Sequence, residues 1–132
     1  MKKVLIIGSI FTALFLVMTR SSRADFEPDF PKLVEAIGNA ENSVKYPYGI
    51  KSINTHSDKV LAGKICMNTV RNNWKRYTAI DSTPSMDEYM RFLANRFCPV
   101  GAVDDLSGLN AHWLGNVSRL YQKGVESEKR RS

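Results

Sequence analysis

An apolar residue recurs every three or four positions in four separate stretches of this chain, and none sustains the two-residue alternation of a half-buried strand. Phe30, Leu33, Val34 and Ile37 mark the first helix, over about residues 31–42. Val60, Leu61, Ile65, Val70, Trp74 and Tyr77 mark a longer one, over about 57–77. Ser85-Met86-Asp87-Glu88 reads as a capping box opening a third. Its Met86, Tyr89, Met90, Leu93 and Phe97 share one side, and Pro99 sets its end. The fourth covers about 110–123 on Trp113, Leu114, Val117, Leu120 and Tyr121, with Gly124 as its stop. A chain of 132 residues has room for one modest core. The spacing therefore predicts a single small all-α domain.

The first 24 residues have a different character. Met1-Lys2-Lys3 is a short basic start, residues 4–18 carry no charge, and Ser22-Arg23-Ala24 places small residues where a signal peptidase reads. The uncharged run is shorter than the ~20 residues that span a bilayer, which favours a cleaved leader over an anchor. The expected division is a signal peptide over 1–24, a domain over 25–125 and a polar tail over 126–132. Loss of Lys2, Lys3, Arg20 and Arg23, with no acid, takes the formal charge from +6 to +2. That removes the main argument for nucleic acid, whose binding needs clustered cations. An exported, periplasmic or secreted protein is expected, monomeric and without stable membrane insertion once the leader is gone. An oxidising compartment also favours joining Cys66 to Cys98, the only two cysteines. The order His56, Cys66, Cys98, His112 lacks the close ligand pairs of zinc sites, so no metal and no other cofactor is expected.

One residue of the first helix is out of character. At 100° per residue, Glu41 lies within about 20° of Phe30 and Val34 and about 40° from Ile37, in the middle of the apolar stripe. A carboxylate there is partly desolvated and lies at the negative end of the helix dipole, and both conditions favour its protonated form. Cleavage of a glycosidic bond requires such a group as general acid. Asn42 and Ser43 follow with hydrogen-bonding side chains. Tyr46-Pro47-Tyr48-Gly49-Ile50 then offers two aromatic faces with polar tips on a loop stiffened by proline. The bland alternative is a core-edge glutamate beside a packed turn.

Ala36-Ile37-Gly38-Asn39-Ala40-Glu41-Asn42-Ser43, followed by Tyr48-Gly49-Ile50, resembles the catalytic segment of the lysozyme-like superfamily, especially small lytic transglycosylase and phage-type domains. The resemblance implies a lysozyme-like helical fold and peptidoglycan glycan strands as substrate, with Glu41 as acid/base. Ser43 would orient the substrate or the acid, and Tyr48-Gly49-Ile50 would line the glycan cleft, with the Tyr46 ring beside them as a substrate-binding candidate from its chemistry alone. Asn42 delays the serine by one position, and the glutamine usual after the glycine loop is missing. No second acid stands out among Asp58, Asp81, Asp87, Glu88, Asp104 and Asp105, most of which read as caps or turn residues. A lone acid favours the transglycosylase route over hydrolysis. The rivals are a hydrolase with a distant second acid and a module that binds glycan without cutting it.

Overall fold

The computed structural model describes residues 26–132. The leader expected over 1–24, with its cleavage after Ala24, lies outside the described residues. None of the described helices is long and apolar enough to cross a membrane. Four helices follow in order: α1 (Phe30–Glu41), α2 (Lys59–Ile80), α3 (Met86–Phe97) and α4 (Asn110–Lys129), with a short 3-10 turn at Pro47–Gly49 after α1. There is no strand among the described residues, so the all-α class holds.

The helix starts follow from local chemistry. Asp29 accepts from the Lys32 amide at the head of α1, and Asp58 accepts from Val60 and Leu61 at the head of α2. At α3 the Ser85 hydroxyl accepts from the Glu88 amide, which is half of the expected capping box. The other half is replaced, because the Ser85 amide donates to the Tyr77 hydroxyl. Leu109 gives α4 no side-chain cap, and the Asp105 carboxylate accepts from the Asn110 amide instead.

The helices bury their stripes against one another, with α1 lying against α4 and α2, and α3 closing against both. Leu33 and Ile37 of α1, Cys66 and Val70 of α2, Tyr89 and Leu93 of α3, and Val117 of α4 are fully buried. Two polar ties fix the packing. The Tyr89 hydroxyl donates to the Val70 carbonyl at 2.6 Å inside the core, and the Asp29 amide donates to the Tyr121 hydroxyl at 3.1 Å. Leu33→Ala or Ile37→Ala is expected to cost about 2–5 kcal/mol, since each removes fully buried methyl groups and leaves a cavity. Chemical denaturation measures it, and a loss under 1 kcal/mol would contradict this core.

Two expectations are corrected. Helix α4 does not stop at Gly124 but runs to Lys129, so most of the supposed tail over 126–132 is helical. A glycine inside a helix costs only about 1 kcal/mol. Here the extension is tied down: the Lys32 ammonium pairs with both Asp29 and Glu128, joining the end of α4 to the start of α1. The second correction concerns the cysteines. Cys66 and Cys98 are free thiols, not a disulfide. Cys66 is fully buried midway along α2, whereas Cys98 caps the far end of α3 and is only partly buried. The packing of these two helices holds their side chains in different places, whatever the loop length between them would permit.

Burial, and secondarily the Glu41 carboxylate, pushes the Cys66 thiol up to about 12 and the Cys98 thiol up to about 11. Burial likewise raises the Tyr89 phenol. Groups held neutral by the fold stabilise it fully below their unfolded pKa, near 9 for a thiol, and that contribution is lost as the pH climbs through the folded values. The melting temperature should therefore hold to about pH 9 and fall steeply toward pH 11, following these folded and unfolded values. A flat profile across that range would rule out the buried thiol and phenol as determinants.

Candidate active site

Glu41 occupies the last position of α1, and the chain leaves the helix through Asn42 in a left-handed conformation (φ 39°). Its carboxylate turns inward and is half-buried. The indole Nε1–H of Trp113, on the first turn of α4, donates to Glu41 Oε1 at 2.8 Å. Trp113 is itself buried and stacked on Phe97 of α3, with ring centroids 5.8 Å apart and planes at 21°. The acid is thus held from three helices. One supplies the carboxylate, a second the donor, and a third the ring that keeps the donor still.

The fourth support is Gly49. A β-carbon at this position would stand 2.7 Å from Glu41 Cδ and 2.8 Å from Oε2, and the backbone there has φ +68°. Only glycine meets both conditions without strain. The loop at Gly49 therefore packs closely against the carboxylate.

Tyr48 is fixed by both flanking helices. Its ring wedges between the two helices that flank it: a β-carbon at Gly38 of α1 would meet Tyr48 Cε1 at 2.7 Å, and one at Gly63 of α2 would meet its hydroxyl at 3.2 Å. Tyr48 adopts φ 58° to reach this slot. It is first a spacer that sets the α1–α2 approach and, through its neighbour, presents Gly49 to Glu41. One edge of the ring also borders a cavity of about 230 Å³ with Asn42, Ser43 and Lys59. The Ser43 hydroxyl accepts from the Tyr46 amide at 3.0 Å, so it builds the turn that carries the loop. Tyr46 is exposed, under the Lys45 ammonium at 5.1 Å, and borders a different cavity. Of the sequence candidates, Glu41 and Gly49 are brought together, while Ser43, Tyr46 and Tyr48 shape the loop around them.

Sequence reasoning missed Trp113, 72 positions from Glu41. Its neighbours Asn110, Ala111 and His112 give no motif, and a lone tryptophan on an apolar stripe reads as core. A further charge lies close by. The Cys98 thiol is raised, after burial, by Glu41 and also by Asp105 and Asp104, and lowered by Lys51. The Asp105 carboxylate accepts from the Asn110 amide, at the start of the helix whose first turn carries Trp113. No group of three or more His, Cys, Asp or Glu residues suited to a metal occurs among the described residues.

Comparison with known proteins gives no match to a family model, a curated protein or a solved structure.

Proposed function

We propose that the protein cleaves peptidoglycan glycan strands, with Glu41 as its acid/base. The observation that carries this reading is a carboxylate placed on a buried helix stripe, with Oε1 held by the Trp113 indole and the whole group packed closely against Gly49. A carboxylate serving only to cover the core edge needs neither constraint. The Trp113 donor fixes the orientation of the carboxylate, as proton transfer to a bound group requires.

In the transglycosylase route, Glu41 protonates the glycosidic oxygen as the C1–O bond breaks. The resulting carboxylate then takes the proton from the muramic C6 hydroxyl, whose oxygen closes on C1 to give a 1,6-anhydro sugar. One group does both steps and no water is consumed. The resemblance of residues 36–50 to lytic transglycosylases supports this route. A second reading, hydrolysis, is favoured by one observation: the Asp105 carboxylate accepts from the Asn110 amide at the start of α4, the same turn whose Trp113 donates to Glu41.

Trp113→Phe tests the positioning of the acid. The ring stack on Phe97 survives and the N–H donor is lost, so kcat is expected to fall about 10- to 100-fold with KM nearly unchanged, as for a hydrogen bond to a charged group. Equal kcat in the variant would show that the indole only packs. The reading as a whole is tested by release of soluble fragments from purified peptidoglycan, beside Glu41→Gln.

A further inference from the structure

The loop between the 3-10 turn and α2 encloses a second cavity, of about 360 Å³, which the chemistry of Glu41 does not use. It is lined by Lys45, Lys51, Asn54, Thr55, His56 and Ser57, with the Tyr46 and Ile53 side chains alongside. No carboxylate borders it. Among the described residues the ion pairs are those of Lys32 alone, so neither Lys45 nor Lys51 has an acidic partner. The donors outnumber the acceptors. Asn54 spends its carbonyl oxygen on the His56 amide at 2.9 Å, which leaves its NH2 as the unspent end. Thr55 is 4% exposed and adds its side chain to the lining.

The backbone is set for this purpose as well. His56 and Ser57 both have positive φ, 50° and 61°, which is costly for residues with side chains. That turn brings Asn54, Thr55, His56 and Ser57 to the same cavity as the two lysines. Two ammonium groups, an imidazole, an amide and hydroxyls with no carboxylate form a site for a small oxyanion.

We infer that this cavity is an anion subsite that takes an acidic group appended to the glycan strand, a carboxylate of the peptide stem or a phosphodiester of an attached polymer. This rests on the proposed substrate. Lys51 follows Gly49 by two positions, and a β-carbon at Gly49 would stand 2.7 Å from Glu41 Cδ, so the subsite adjoins the loop that meets the acid. Binding there would anchor a substituent of the strand while a glycosidic bond meets Glu41. The subsite selects decorated strands over bare ones.

The test is Lys45→Ala/Lys51→Ala in the full chain, two exposed positions outside the core. On intact sacs the double variant should raise KM about fivefold or more with kcat unchanged, from loss of two screened charge contacts. Sacs stripped of peptide stems should give the original protein the same raised KM, with no further rise in the variant, if the anion is a stem carboxylate. Sacs stripped of phosphate polymers should do so if it is a phosphodiester. An unchanged KM on intact sacs, or an equal rise on sacs lacking both anions, overturns the subsite. Cosedimentation of Glu41→Gln protein with sacs, with and without the two lysine changes and with inorganic phosphate as competitor, reads binding without cleavage. A protein that cuts nothing yet loses sac binding with the lysines would sink the proposed activity and leave the subsite standing. Sac binding that is indifferent to both the lysines and phosphate overturns the subsite by itself.

Discussion

Glu41→Gln is expected to lower glycan-strand cleavage by about 10³-fold or more, the range of a lost general acid, while the melting temperature stays close to that of the original protein. Glutamine keeps the shape of the side chain and an oxygen that can still accept from Trp113 Nε1–H. What it lacks is a proton to deliver and a charge to take one back. Stability and activity therefore separate in this variant. If activity persisted, the acid would have to be sought elsewhere, and the constraints on Glu41 would be packing alone. If the fold collapsed with the activity, Glu41→Asp would give the second reading, since it keeps the charge and withdraws the carboxylate from the indole.

Gly49→Ala should affect both properties. Its β-carbon would lie 2.7–3.0 Å from the Glu41 carboxylate atoms, in a backbone conformation of φ +68°. The conformation alone costs about 1–2 kcal/mol for a residue with a side chain. The carboxylate must also move by several tenths of an ångström or more, away from the position the indole assigns to it. Displacements of this order far from ideal geometry cost on the order of 10²-fold in rate, so a comparable loss is expected. Denaturation and kinetics on one preparation measure both. Loss of stability with full activity would mean that the loop backbone merely abuts Glu41 and does not position it.

Much of this architecture is local and was legible. The stripe Phe30–Leu33–Val34–Ile37 fixes α1 and its buried face, and the same spacing puts Glu41 on that face. The caps at Asp58 and Ser85 open α2 and α3 as their chemistry predicts. What local periodicity could not supply are relations across the fold. Gly124 looks like a stop until Lys32, on another helix, is seen to hold Glu128. Cys66 and Cys98 look like a pair until helix packing separates them, since compartment and loop length say nothing about where two side chains point. Tyr48 reads as a ring on a loop, and nothing local shows that Gly38 and Gly63 form the slot it fills from two different helices.

The site divides in the same way. Glu41 and Gly49 were visible because an acid on an apolar stripe and a glycine in an aromatic loop are anomalies within a few residues. Trp113 was not, because the hydrogen bond that gives it meaning spans 72 positions and its own helix offers a sufficient reason for it to be buried. The acid-free cavity around Lys45 and Lys51 was hidden for a related reason. Each lysine alone is an ordinary solvated charge, and only the turn at His56–Ser57 brings the donors together.

The most direct measurement is the mass of the fragments released when the protein is incubated with purified peptidoglycan. The account predicts muropeptides ending in 1,6-anhydromuramic acid, lighter by one water than hydrolysed ends, and their disappearance with Glu41→Gln. Hydrated ends would contradict the single-acid route and turn attention to Asp104 and Asp105. No fragments from the original protein would contradict the central claim that Glu41 cuts the glycan strand.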